Sequence, residues 1–276
     1  MPSNHHRNYP GPVRAVIFDW AGTTVDYGSR APVNAFIELF RRHGVTVTAA
    51  QARGPMGSHK RDHVRLILAM EPVAQQWKQV KGRAATDKDV EALFREFIPL
   101  QTEVIARHTN VIPGVAEAVA TMRLQGIVFG ATTGYTRGMM AALLADAAAG
   151  GFSPETNVCA DEVPAGRPAP WLALTAAMDL GVYPMPACVK VGDTLVDIAE
   201  GLNAGMWTVG ITKTGNELGL SEAEVEALPS HELATRLDAA AQRFFQAGAH
   251  YAISEVAQLP AVITEINERM ARGERP

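Results

Sequence analysis

The sequence predicts an α/β fold: a doubly wound parallel sheet whose first strand is followed by an inserted all-helical segment. Three observations predict it. Past residue 111, short apolar runs at 127–132, 157–160, 187–191 and 207–211 alternate with segments of helical period at 136–148, 169–180 and 195–204. Such alternation builds parallel βαβ units with right-handed crossovers. Before that region, the apolar run 13–18 stands apart, and only helical periodicity separates it from the next strand. Polar clusters then stand where the strands end: Asp19, Thr132-Thr133-Gly134-Tyr135, Arg167 in a Gly-Pro loop, and Gly192-Asp193-Thr194. Open α/β sheets bind ligands beyond the carboxyl ends of their strands.

The first strand is nearly continuous in apolar residues, as expected of a strand buried on both faces. Ser29 is placed to cap a helix with Val33, Phe36, Ile37, Leu39 and Phe40 at helical spacing, ending near Gly44. Gly and Pro punctuate 52–58 as a break, and a second helix is expected from Ser58. Pro72 suits the first turn of the next helix. Thr86 with Asp89 has the spacing of a capping box and opens a long amphipathic helix through Ile105. Pro113-Gly114 starts a helix that ends at Gly126. The tail adds an Ala-rich helix at about 231–247, a short strand at 250–253 and a closing helix at 256–271. The expected organisation is a tail over 1–12, an α/β core over 13–27 and 108–276, and a helical cap over 28–107, with linkers near 25–30 and 105–112.

The 276 residues suffice for a core domain with an insert, and the net charge of −4 implies no nucleic-acid surface. No apolar run reaches transmembrane length, and the first dozen residues lack the apolar core of a signal peptide. Cys159 and Cys188 fall in strand-like segments and read as core thiols. Two thiols in a chain this long suggest a reducing compartment, so the cytoplasm is expected.

Taken singly, each polar cluster has a plain structural reading as an Asx turn, a helix cap or a solvated arginine. Together they resemble the motifs of the haloacid dehalogenase superfamily: Asp19, Gly22, Thr23 and Asp26, then Thr133, Arg167, and Asp193 with Asp197. The physical logic is phosphoryl transfer. A carboxylate nucleophile, Asp19, must approach a phosphoryl dianion, and a hard cation such as Mg²⁺ on Asp19 and Asp193 offsets the repulsion. The resemblance adds the Ala21 carbonyl as a further ligand. Asp197, one turn beyond Asp193, would orient the ligands, Thr133 would donate to a phosphoryl oxygen, and Arg167 would neutralise another.

Ala21 departs from the superfamily's phosphatases, which carry a second aspartate there to protonate a leaving oxygen. Three readings follow: a phosphate-binding protein without catalysis, a dehalogenase, or a reaction whose leaving atom is carbon. A carbon leaving group needs an electron sink, which a lysine imine supplies. Lys60 is the candidate, with His63 three residues on along the same helix and Arg61 as a neighbouring cation; imine formation needs neutral amine, and a nearby cation or burial lowers a lysine pKa.

The whole pattern resembles the phosphonoacetaldehyde hydrolase family. It is carried by residues 19–26, Met56-Gly57 with Lys60 and 62–65, residues 132–137, 163–168, 190–194, 203–210 and 248–251. The resemblance implies hydrolysis of the C–P bond of 2-phosphonoacetaldehyde, within 2-aminoethylphosphonate degradation, through a Lys60 imine and an Asp19 phosphate. It also implies that Met56 and Gly57 pack near the substrate, that His63 and Tyr135 assist proton movement, and that the chain forms a homodimer through its cap.

Overall fold

The computed structural model describes residues 9–276. Residues 1–8 of the expected tail lie outside the described residues. Tyr9 already packs partly buried against the core, so the tail does not extend to residue 12.

The chain begins with β1 (Ala15–Phe18), whose four residues are all buried. Five helices follow before the next strand: α1 (Arg30–Arg42), α2 (Ala49–Arg53), α3 (Lys60–Ala69), α4 (Glu71–Lys81) and α5 (Asp87–Ile105). Then come α6 (Val115–Arg123), β2 (Val128–Thr133), α7 (Arg137–Ala149), β3 (Thr156–Cys159) and α8 (Trp171–Asp179). The chain continues through β4 (Cys188–Gly192), α9 (Leu195–Asn203), β5 (Trp207–Ile211) and the short α10 (Glu222–Glu226). It closes with α11 (Ser230–Gln246), β6 (Tyr251–Ile253) and α12 (Leu259–Ala271).

The strands form one six-stranded sheet in the order β3-β2-β1-β4-β5-β6, parallel throughout. The chain runs outward from β1 through β2 to β3, then crosses to β4 on the other side. β1 and β4 therefore flank the switch point, where such sheets place their ligands. Alternate side chains of β1 enter two different cores. Val16 and Phe18 pack with the larger apolar cluster, and Ala15 and Ile17 pack against Leu172, Ala173 and Ala176 of α8. Phe18 also meets Phe129 and Phe152 at ring separations of 6.1 and 5.7 Å. Truncating it to alanine should cost about 3–5 kcal/mol.

Several expected helix starts move. Ser29 does not cap α1. It is left-handed at φ 49°, and the Asp26 carboxylate accepts from the Arg30 and Ala31 amides at 3.1 and 2.9 Å instead. Ser58 does not open α3, because its hydroxyl donates to Pro55 O at 2.6 Å and the His59 ring accepts from Arg61 N. Asp89 does accept from Thr86 N and Oγ1, at 2.8 and 2.6 Å. α2 and α10 have five residues each and were not expected. Cys159 and Cys188 are buried free thiols. Among the described residues, no helix is long and apolar enough to cross a membrane.

Candidate active site

Pairing of β1 with β4 sets Phe18 opposite Val191. The next residue of one strand is Asp19, and two residues beyond Val191 comes Asp193, so two carboxylates meet at the switch point. The Asp19 amide donates to Val191 O at 2.8 Å, which fixes the end of the strand. A tight turn follows, in which Trp20 O accepts from the amides of Thr23, Thr24 and Val25. Gly22 sits in this turn at φ 82°, and a Cβ there would lie 2.2 Å from Asp193 Oδ2, so only glycine fits.

Carboxylate oxygens of Asp19, Asp193 and Asp197 lie within 4.8 Å of one another, all buried. Arg167 Nη1 bridges Asp19 Oδ1 at 2.8 Å and Asp197 Oδ1 at 2.9 Å. Among the described residues, no cation pairs with Asp193 in this way. Its Oδ2 accepts from the Asn216 amide at 2.7 Å, and its Oδ1 is buried without a hydrogen-bond partner. Burial, with Asp19 and Asp197 beside it, pushes the Asp193 carboxyl well above the usual carboxylate range. Burial also raises Asp19, against the opposing pull of Arg167. Asp197 is held below its ordinary value despite burial, because Arg167 and Lys190 face it. An orphaned carboxylate oxygen beside a second carboxylate is the donor set a hard divalent cation requires, so the residues fit such an ion.

Two members of this cluster were given no role from the sequence. Lys190 Nζ contacts Asp197 Oδ1 at 2.9 Å, Glu200 Oε2 at 3.3 Å and Thr132 Oγ1 at 3.1 Å. Glu200 Oε2 accepts from Arg167 Nε at 2.9 Å, and its Oε1 accepts from the Ala173 amide at 3.2 Å. The available signal was a lysine inside the apolar run of β4, with acids three residues apart on α9.

The helical insert supplies the other wall. Lys60, in the first turn of α3, is 3% exposed. Its Nζ lies 3.9 Å from Met56 Sδ and 5.2 Å from the centre of the Tyr135 ring. Burial lowers the ammonium from its ordinary range to about 8; Asp19 opposes the shift and Arg167 adds to it. The expected influence of Arg61 is absent, since that side chain turns outward to an exposed pair with Glu91. His63 is fully buried behind Lys60. Its Nε2–H donates to Ala52 O at 2.8 Å, its ring stacks on Phe36 at 3.9 Å, and its Nδ1 has no hydrogen-bond partner. Burial and Lys60 hold its pKa well below the ordinary value, so the ring is neutral.

Asp19, Ala21, Met56, Gly57, Lys60, Thr133, Tyr135, Arg167 and Asp193 line one cavity, together with Ser29, Pro32, Gly134 and Thr194. His63 and Asp197 do not line it. Thr133 Oγ1 accepts from the Tyr135 amide at 3.0 Å, which leaves its proton free to donate into the cavity. The Tyr135 phenol is buried and its pKa is raised well above the ordinary value, so it stays protonated. The free volume is about 20 Å³, room for little more than a water molecule. Larger hollows of about 430 and 520 Å³ open elsewhere, around Tyr27, Ile112 and Glu222, and contain none of these groups. Insert and core meet closely: a Cβ on Gly134 would stand 2.8 Å from Ser58 O, and one on Gly57 would stand 2.5 Å from Thr194 Oγ1.

The model of the haloacid dehalogenase-like hydrolase family matches residues 13–205. A protein of Syntrophobacter fumaroxidans named phosphonoacetaldehyde hydrolase is 46% identical over 271 residues, covering 98% of each chain. One of the same name from Nitratidesulfovibrio vulgaris is 49% identical over 270 residues, covering 98% of this chain and 96% of that one. The crystal structure of a phosphonoacetaldehyde hydrolase-like protein from Oleispira antarctica superposes with a TM-score of 0.96 at 48% identity, covering 97% of both chains.

Proposed function

The chain belongs to the haloacid dehalogenase-like hydrolases and, within them, to the phosphonoacetaldehyde hydrolases, and from that premise we propose that it splits 2-phosphonoacetaldehyde into acetaldehyde and phosphate. One observation carries the reading: a buried lysine, Lys60, shares an enclosed cavity with Asp19, while alanine occupies the position next to the turn where a leaving oxygen would need an acid.

The neutral Lys60 amine adds to the aldehyde carbon and water departs, leaving an iminium. An Asp19 carboxylate oxygen then attacks phosphorus. As the P–O bond forms, the C–P bond breaks, and its electron pair flows into the iminium to give a neutral enamine. No oxygen leaves, so no acid is needed at residue 21. Attack of water on the aspartyl phosphate releases phosphate and restores Asp19. Protonation of the enamine at carbon and hydrolysis of the resulting iminium release acetaldehyde and free Lys60. Arg167 and the Thr133 hydroxyl hold the phosphoryl oxygens. Met56 and Gly57 pack the carbon skeleton, and Tyr135 with the neutral His63 behind Lys60 serves proton movement at the imine nitrogen. Mg²⁺ held by Asp19, Asp193 and the Ala21 carbonyl would screen the phosphoryl charge from the attacking carboxylate. Asp197 acts indirectly, by fixing Arg167 and Lys190.

The nearly filled cavity supports a cap of residues 28–107 that opens to admit substrate and closes to exclude water. The reading further takes the chain to form a homodimer through that cap, whose surface exposes Leu66 of α3 and Val80 of α4, and to work in the cytoplasm. Borohydride reduction in the presence of the aldehyde, followed by peptide mapping, tests the reading. An adduct on Lys60 together with phosphate release supports it, and chloride release from a 2-haloacid without any adduct would replace it with dehalogenation.

A further inference from the structure

Arg53, the last residue of α2, lies outside the cavity but ties together the segments around it. Its Nη1 donates to Gly28 O at 2.9 Å and Ser29 O at 3.3 Å, both in the linker that leaves the sheet. The same nitrogen reaches Asn216 Oδ1 at 3.3 Å, and Nη2 donates to Gly219 O at 2.8 Å, both in the loop after β5. The fit is tight: Gly219 has φ 67°, and a Cβ there would lie 2.6 Å from the Arg53 guanidinium. The loop is joined to the linker a second time, through Gly28 N to Thr214 O at 2.7 Å. This loop also holds a carboxylate of the acidic cluster, because the Asn216 amide donates to Asp193 Oδ2 at 2.7 Å, while Asp193 Oδ1 is buried without a hydrogen-bond partner.

We infer that Arg53 is a positioning residue, a clamp that fastens the helical cap and its linker to the loop holding Asp193, so that closure of the cap and orientation of the cation-binding carboxylate occur together. The inference rests on the proposed metal-assisted reaction. A planar fork with several donors is required, since one group must serve three carbonyls and an amide oxygen at once. Lysine keeps the charge but satisfies only part of this set.

The test is direct binding of Mn²⁺, followed by electron paramagnetic resonance, to the wild type, Arg53→Lys and Arg53→Ala. Thermal unfolding of each variant is recorded alongside, as are kcat and KM on phosphonoacetaldehyde. The clamp requires Mn²⁺ affinity to fall about 10-fold or more in Arg53→Lys. It also requires added guanidinium ion to restore part of the affinity and kcat of Arg53→Ala. Should Arg53→Ala not fold, Arg53→Lys, which preserves the charge, carries the test. A folded Arg53→Lys that binds Mn²⁺ as tightly as the wild type overturns the clamp while leaving the metal reading intact. A wild type that binds no cation overturns the metal reading, and the clamp with it.

Discussion

The Asp193 carboxylate is held through one oxygen by the Asn216 amide at 2.7 Å, while its other oxygen is buried without a hydrogen-bond partner. This is costly, with Asp19 and Asp197 beside it and no ion-paired cation among the described residues. A divalent cation of the kind proposed would offset this cost.

Asp193→Asn should therefore separate stability from function. Removing the charge should raise the Tm of the metal-free protein by about 2–4 °C, which corresponds to about 1 kcal/mol in a chain of this size. Phosphate release dependent on Mg²⁺ should disappear. The sign with pH follows from the raised pKa of Asp193. Between the ordinary carboxylate range and the raised value the folded chain binds more protons than the unfolded one, so metal-free stability falls as pH rises through that window. Asp193→Asn should flatten this slope. Full activity of the wild type in excess chelator would sink the metal assignment.

Lys60 should react as an amine that titrates at about 8, more than two units below an ordinary lysine. The rate of borohydride trapping with aldehyde should climb through that pH and level off above it, because only the neutral amine adds to a carbonyl. Asp19 favours the ammonium form, so Asp19→Ala should move the midpoint lower while Lys60 remains trappable. A midpoint near the ordinary lysine value would show that the amine is not desolvated in solution.

Lys190 is a structural cation for Asp197 and Glu200, which it contacts at 2.9 and 3.3 Å. Lys190→Met leaves those carboxylates with Arg167 alone. Breaking such a buried set should cost about 3–5 kcal/mol, read from the urea midpoint at unchanged slope. A loss under about 1 kcal/mol would mean that Arg167 neutralises both acids unaided.

The sheet was legible because its strands are short apolar runs broken by Gly, Pro and helical segments, and such runs admit few topologies. Asp19 and Asp193 were legible as polar residues ending two of those runs. Helix starts were less so. Ser29 and Ser58 both have the right side chain for a cap, but Asp26 and Pro55 compete locally, and only the fold decides which bond forms. α2 and α10 are too short for periodicity to register. Lys190 and Glu200 could be seen as charges in apolar surroundings, but their pairing depends on β4 lying beside α9. The depressed pKa of Lys60 was anticipated from a neighbouring cation, Arg61, or from burial. Its main source is burial, which depends on the insert closing over the sheet.

The central claim is a division of labour in which Lys60 prepares the carbon leaving group and Asp19 receives the phosphoryl group. Lys60→Arg keeps a cation in the cavity but cannot form an imine. The most direct measurement is phosphate release from phosphonoacetaldehyde by Lys60→Arg, with mass spectrometry of borohydride-reduced wild type and Asp19→Ala alongside. The account predicts that Lys60→Arg loses at least about 10³-fold in kcat/KM, or about 4 kcal/mol of transition-state stabilisation, while still binding Mg²⁺ and phosphate. It further predicts a reduced adduct on Lys60 in both the wild type and Asp19→Ala. Substantial turnover by Lys60→Arg, or an adduct on any other lysine, would contradict it.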